Sequence, residues 1–410
     1  MPGRTGKPPL LYLTHRIPYP PNKGDKIRSW HILRHLSERF SLYLGTYVDD
    51  PDDWVHCAVL RQYCADAFFV ARNPTLHRLV ATSALLSGRP ISVAFYQSSA
   101  MQAWVDRVVT NVGIETALLF CSPVAPFVAP GTQAGDALNR VILDLVDVDS
   151  EKFRQYAQAG TGLGRWLFRR EGRLLLEHEK ATSGWCGRTF LVTPEEAALY
   201  EKRAPELSGT IDHFSNGVDT DYFRPDPTFP DPYGKKMKVL VFTGAMDYAP
   251  NVEAVESFAR SVFPVLRSRH PELQFWIVGG KPTKTVTDLA SISGVEVTGR
   301  VADVRPYLQH ALAAVAPLKI ARGVQNKVLE AMAMAKPVLA SANALTGIDV
   351  PSSELLEPVE TPDEHLLALA PLIDGATSAP PLREGLRLWV KKRFAWDSTL
   401  AGLSATLLES

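Results

Sequence analysis

The chain has 410 residues, 46% hydrophobic and 21% charged, and its 44 basic residues are balanced by 44 acidic ones. That length is too great for one core and fits two domains of about 200 residues each, and zero formal charge argues against wholesale nucleic-acid binding. No run approaches the roughly 18 consecutive apolar residues of a membrane helix, so membrane contact is expected to be peripheral. Met1-Pro-Gly-Arg-Thr-Gly-Lys-Pro-Pro leads into too few apolar residues for a signal peptide. Leu10–Thr14 then reads as a buried parallel strand, followed by a polar loop (15–25) and a helix over 26–39. Strands follow at 41–47, 67–70, 116–120 and 141–145, and Phe190–Thr193 before Pro194-Glu-Glu is expected to close the series. Cys57, Cys64, Cys121 and Cys186 have no CxxC or zinc spacing and read as reduced thiols of a cytoplasmic protein.

A second series starts after the proline-rich stretch Phe223–Gly234. Strand 238–243, a loop opening at Gly244, helix 252–267 and strand 274–278 repeat the same grammar. Strands at 295–298, 313–317 and 338–341 continue it, with a helix over 304–311. The expected fold is α/β: two Rossmann-like, doubly wound domains with ligands at the carboxyl ends of the strands and a cleft between the domains. The boundaries read as 1–217, a linker 218–235, a second domain 236–388 and a tail 389–410 packing back on the first domain.

The most informative stretch is Ile320–Ser341, a glycine followed by about three turns of helix formers and a Lys336-Pro337 stop. Leu329, Met332, Ala333 and Lys336 mark a buried side. Gly323, Asn326, Lys327 and Glu330 fall at i, i+3, i+4 and i+7, on a common face. A glycine-led helix N-terminus suits a phosphate, and an anion there explains a lysine placed against the dipole. Glu330, one turn on, can accept two charge-assisted hydrogen bonds from a vicinal diol such as ribose. An ordinary surface helix with a solvated polar side fits the same pattern.

Three segments together resemble the retaining glycosyltransferases of GT-B fold, family GT4. They are Lys327…Leu329-Glu330-Ala-Met-Ala…Lys336-Pro-Val, Ser215-Asn-Gly-Val-Asp-Thr-Asp-Tyr-Phe223, and Phe242-Thr-Gly-Ala-Met-Asp-Tyr-Ala-Pro-Asn251. A fuller resemblance is to the sugar transferases of exosortase (PEP-CTERM, XrtA) exopolysaccharide systems. It rests on His15–Arg28, Asp144–Lys152 and Ala321–Lys327. The resemblance implies metal-independent transfer from a nucleotide sugar, which is a substrate and not a cofactor, with UDP and GDP donors not distinguished. The implied acceptor is a glycan or polyprenyl-linked glycan, at the inner face of the cytoplasmic membrane. The implied donor site comprises Gly244, Arg300, Gly323, Val324, Asn326, Lys327 and Glu330. The family has a second glutamate eight positions before Glu330, where this chain has Arg322. A cation there could grip the diphosphate or an acidic sugar instead. That departure also admits a non-catalytic nucleotide-sugar-binding subunit, and a GT-B sugar-nucleotide epimerase is a third reading.

In the first domain, Gly24-Asp25 opens a helix that could meet a phosphate or the acceptor, while Asp25 alone also fits an N-cap. Arg16, Lys23, Lys26 and Arg28 make this corner locally basic. Asp147-Val-Asp149 is a weak metal site, because no further ligands cluster with it. Asp149 is a candidate general base, or an N-cap and salt partner for Lys152 on the next helix. Asn251 reads as a helix cap, and Asp49–Asp53 as a solvated acidic loop. His15 is a weak ligand candidate, and His31 and His35 lack a third metal ligand. Arg165–Leu176 mixes basic and bulky apolar residues at helical spacing, as a buried amphipathic helix or one resting on anionic lipid.

Overall fold

The computed structural model describes residues 6–21, 23–72, 77–234, 237–319, 324–348, 358–374 and 380–408. It divides into two units, Met1–Ser215 with Leu400–Ser410, and Asn216–Thr399.

Unit 1 is built on seven parallel strands in the order β3-β2-β1-β4-β5-β6-β7. These are β1 (Pro9–Thr14), β2 (Ser41–Val48), β3 (Asp66–Ala71), β4 (Thr116–Phe120), β5 (Arg140–Val146), β6 (Arg188–Leu191) and β7 (Ile211–His213). Leu10 to Leu13 are all buried in β1, as expected of a strand covered on both faces. β1 pairs with β2 through Leu10 opposite Leu42 and with β4 through Leu11 opposite Ala117. The sequence pattern ends this sheet at Phe190–Thr193. β7 extends it by three residues, too short and too polar (Ile-Asp-His) to carry a strand pattern.

Unit 2 has five parallel strands in the order β10-β9-β8-β11-β12. They are β8 (Lys238–Thr243), β9 (Leu273–Val278), β10 (Val295–Gly299), β11 (Ala313–Ala316) and β12 (Val338–Ala340). Val239 to Phe242 are fully buried. The helix expected over 252–267 is an Ala249–Ser257 helix that passes through a π turn, Phe258–Val262, into Phe263–Arg269. Pro264 explains the interruption, since its missing N–H breaks the i→i−4 ladder.

The stretch expected to be a linker is built into unit 2. Val218 bridges to Ala395, and buried Tyr233 donates its hydroxyl to the Tyr307 carbonyl at 2.7 Å. Arg387, on the Pro380–Phe394 helix, reaches the carbonyls of Thr220 and Phe223. The tail splits between the units. The Ala401–Leu408 helix packs in unit 1, where Ser404 Oγ lies 2.7 Å from buried His35 Nε2 and the Thr406 carbonyl accepts from Arg140 at 2.8 Å. No helix among the described residues is long and apolar enough to cross a membrane.

Candidate functional site

Strand order reverses direction in each sheet at one place, between β1 and β4 in unit 1 and between β8 and β11 in unit 2. Ligands of such sheets bind at the carboxyl ends beside that switch point. In unit 2 the loop after β8 and the Asn326–Ala333 helix after β11 therefore frame the candidate pocket.

Lys327 Nζ donates to Asn251 Oδ1 at 2.5 Å and stands 4.1 Å from the Phe242 ring centroid. Asn251 in turn donates through Nδ2 to the Ala245 carbonyl at 2.9 Å. The sequence suggests a helix cap at Asn251. Tyr248 holds the N-cap position instead, and Asn251 is a buried strut between Lys327 and the Gly244 loop. A Cβ on Gly244 would stand 2.8 Å from Asn251 Nδ2 and 3.4 Å from Lys327 Nζ, so glycine keeps this face open. The Gly279 Cα faces the same turn, and a Cβ there would come within 1.7 Å of the Gly244 oxygen.

Glu330 is half-buried, and its side chain makes no hydrogen bond among the described residues. Burial pushes its pKa up to about 7, with Lys327 drawing it back, and burial brings Lys327 down to about 7. Among the described residues the desolvated Lys327 is held by one amide and the Glu330 carboxylate has no donor, and an anion and a diol would supply such partners. Asn326 Oδ1 is buried without a partner as well. The helix begins at Asn326, with Gln325 as N-cap, and so three residues beyond the glycine that was expected to lead it. Val324 packs against Gly347, and Arg300 is exposed beside Gly280. Arg322 and Gly323 lie outside the described residues. The opposite side of the helix is buried: Leu329, Met332 and Ala333 face the core, and Lys336 caps the carbonyls of Gln309 and Ala311 at 2.6 and 2.7 Å.

In unit 1 the loop after β1 brings His15, Arg16 and Asp25 together. Arg16 Nη1 bonds Asp25 at 2.5 Å, its Nε bonds Asp49 at 3.0 Å, and His15 Nε2 lies 3.6 Å from Asp25. Burial raises the Asp25 pKa, but His15 and the Arg16 guanidinium outweigh it and hold the carboxyl below the usual range. His15 stacks on Phe120, and its Nδ1 is buried without a partner. The Gly24–Ser37 helix has Lys23 at its N-cap, so Asp25 is a first-turn acid and not the cap. A Cβ on Gly24 would meet nothing within 4 Å.

The basic corner is corrected by pairing. Arg16 is held by two aspartates, Lys26 by Asp53 at 2.5 Å, and Arg28 by Asp144 at 2.8 and 3.0 Å. Three of the four cations are thereby neutralised. The acidic run 49–53 is solvated only at Asp50, Pro51 and Asp52, since Asp49 and the buried Asp53 are the partners of Arg16 and Lys26.

Asp147 and Asp149 both accept from Lys152 Nζ, at 2.8 and 2.9 Å. Asp149 is the first residue of the Asp149–Ala159 helix, whose N-cap is Val148, so it is a first-turn acid and not the cap. Among the described residues no three His, Cys, Asp or Glu side chains gather as a metal group. Next to this turn stands Glu179, which sequence reasoning misses. It is fully buried, accepts from the Ser150 N–H and hydroxyl, and burial raises its pKa to about 8. Nothing in the sequence distinguishes it from the other acids of its helix. Cys121 and Val146, at the ends of β4 and β5, have φ near 70°. Such strain in non-glycine residues favours functional loops.

Comparison with solved structures gives the same architecture. HepE from Anabaena, in complex with UDP-glucose, is 13% identical and matches over 97% of this chain and 99% of its own, with a TM-score of 0.62. Sucrose-phosphate synthase from Thermosynechococcus elongatus is 16% identical over 98% of each chain, with a TM-score of 0.65. WaaG, a glycosyltransferase involved in lipopolysaccharide biosynthesis, is 16% identical over 98% of this chain and 100% of its own, with a TM-score of 0.62. At such identities the likeness is one of fold: two parallel-sheet Rossmann-like units, as in GT-B glycosyltransferases. Residues 237–373 match the family model described as glycosyl transferases group 1. That stretch contains Gly244, Asn251, Lys327 and Glu330. No curated protein sequence matches the chain.

Proposed function

We propose that the chain is a retaining, metal-independent glycosyltransferase of the GT4 type. It moves a sugar from a nucleotide sugar to a glycan or lipid-linked acceptor in exopolysaccharide assembly, at the inner face of the cytoplasmic membrane. The observation that carries this is the set Gly244, Asn251, Lys327 and Glu330 at the switch point of unit 2, inside the matched residues 237–373. Lys327 is to hold the leaving diphosphate, where preorganised charge contributes most to transfer, and Glu330 the ribose diol. Arg322 and the N–H groups after Gly323 are to complete the diphosphate grip. Arg300 and Val324 are to border the same site. In unit 1, Asp149 is to orient or deprotonate the acceptor hydroxyl, and the loop of Arg16, Gly24 and Asp25 is to meet the acceptor. Retention and the exopolysaccharide role rest on the motif resemblance.

Because HepE binds UDP-glucose, uridine diphosphate sugars are the first donors to test. With the full-length protein and a panel of nucleotide sugars, one donor is expected to stabilise the fold saturably and to turn over slowly without acceptor. Binding without any turnover on adding glycan acceptors would instead indicate a binding subunit. The affinity should also depend on pH. Lys327 titrates near pH 7, and an anion bound to the ammonium form raises that pKa, so the complex takes up a proton above pH 7. Affinity is expected to fall as pH rises from 7 to 9, and calorimetry in two buffers of different ionisation heat should register the proton uptake.

A further inference from the structure

A second anion site is suggested in unit 1, far in sequence from the donor motifs. The Asp149–Ala159 and Gly162–Trp185 helices, with Arg203 of the Pro194–Arg203 helix, line a cavity of about 860 Å³. Its wall holds six arginines (Arg154, Arg165, Arg169, Arg170, Arg173 and Arg203) and a single carboxylate, Glu151. That carboxylate is already committed: it accepts from Arg154 Nε at 2.8 and 2.9 Å and from Arg203 Nη2 at 3.0 Å. Arg170 is anchored through Nη2 to the carbonyls of Ala84 and Arg89, and Arg173 bonds Glu177 outside the wall at 3.1 Å.

Arg165 and Arg169 have no side-chain hydrogen bond or ion pair among the described residues. Arg165, Arg169 and Arg173 recur every four residues on one helix face, a spacing at which like charges repel. The fold nonetheless brings the two helices close at this point. Gly172 eases this approach, since a Cβ there would stand 3.0 Å from the Ser150 oxygen. Trp166 lies on the wall beside these guanidiniums with 55% of its surface exposed.

We infer that this cavity binds a phosphoryl-bearing anion, with Arg165 and Arg169 as the principal donors. A guanidinium presents two parallel N–H groups that match two phosphate oxygens, and the surrounding uncompensated charge attracts a polyanion. Trp166 offers a flat apolar face to the body that carries the phosphate. A free phosphorylated compound and an anionic lipid headgroup share this chemistry. The inference does not depend on sugar transfer, because it concerns unit 1 alone.

The test is a titration of the full-length Lys327→Ala protein, which removes the proposed donor-site cation, with inorganic pyrophosphate. It is compared with the same protein carrying Arg165→Gln and Arg169→Gln, both exposed positions. Saturable binding weakened at least tenfold by the two substitutions, with an unchanged ligand-free melting temperature, is the expected result. In parallel, the proteins are sedimented with phosphatidylglycerol or phosphatidylcholine vesicles. If only phosphatidylglycerol vesicles capture the protein, and the substitutions abolish capture, the phosphoryl group is that of a lipid headgroup and the site stands. If neither probe binds, or if binding is the same in the substituted protein, the inference is overturned.

Discussion

Glu330→Ala should abolish the thermal stabilisation conferred by the nucleotide donor. Two charge-assisted hydrogen bonds to a diol contribute roughly 1.5–3 kcal/mol each, and every 1.4 kcal/mol is about a tenfold change in Kd. A donor present at 100 times its Kd stabilises by about 2.7 kcal/mol, so a loss of that size removes the shift from view. The ligand-free variant is a necessary control with its own expected sign. Burial raises the Glu330 pKa from 4.5 in the unfolded chain to about 7 in the fold. Its contribution to stability is therefore complete below the unfolded value and is lost as pH rises through 7. At pH 8 the carboxylate opposes folding, and the alanine variant should be at least as stable as the parent without donor. An unchanged donor shift in a folded variant would sink the assignment of Glu330 to the nucleotide.

Arg28→Leu should have the largest effect on stability. Arg28 is fully buried in unit 1, bonded twice to the equally buried Asp144, to the Phe214 carbonyl at 3.0 Å, and stacked 3.8 Å from the Phe214 ring centroid. Burial raises the Asp144 pKa even against the Arg28 charge, so removing the cation leaves a carboxylate with little to hold it ionised. Breaking a buried pair from one side costs about 3–5 kcal/mol, which lowers the melting temperature by roughly 10 °C in a domain of this size. Replacing both partners with leucine should restore much of that loss, since it leaves no orphaned charge. Thermal unfolding of the three proteins decides it. A double variant no more stable than Arg28→Leu would show that the pair itself, and not the orphaned carboxylate, carries the energy.

The strands are legible in sequence because fully buried parallel strands are short apolar runs. Thr116–Phe120 and Lys238–Thr243 have the same bounds in the pattern and in the structure. β7 escapes notice because three residues carry no period, and the break at Phe258–Val262 does so because a π turn keeps the helical pattern across it. Within the candidate site, Lys327 and Glu330 are readable from spacing on one helix. Asn251 is not, because its partner lies 76 residues away and pairing across a sheet leaves no local mark. The basic corner misleads for the same reason. Lys26 and Arg28 look like free charge in sequence, and only the fold brings Asp53 and Asp144 to them.

The Ala401–Leu408 helix places the end of the described chain inside the unit that begins it. Its Leu403 and Leu407 are buried, and Ser404 meets His35 across 369 residues of sequence. During synthesis, which proceeds from the N-terminus, the 216–399 unit emerges whole before unit 1 has its final piece. The first-made sheet thus waits on the ribosome with a face of the Gly24–Ser37 helix uncovered, and the later-made unit is the first that can be completed. Substitutions that unfold the Ala401–Leu408 helix should accordingly be read as lesions of the N-terminal unit.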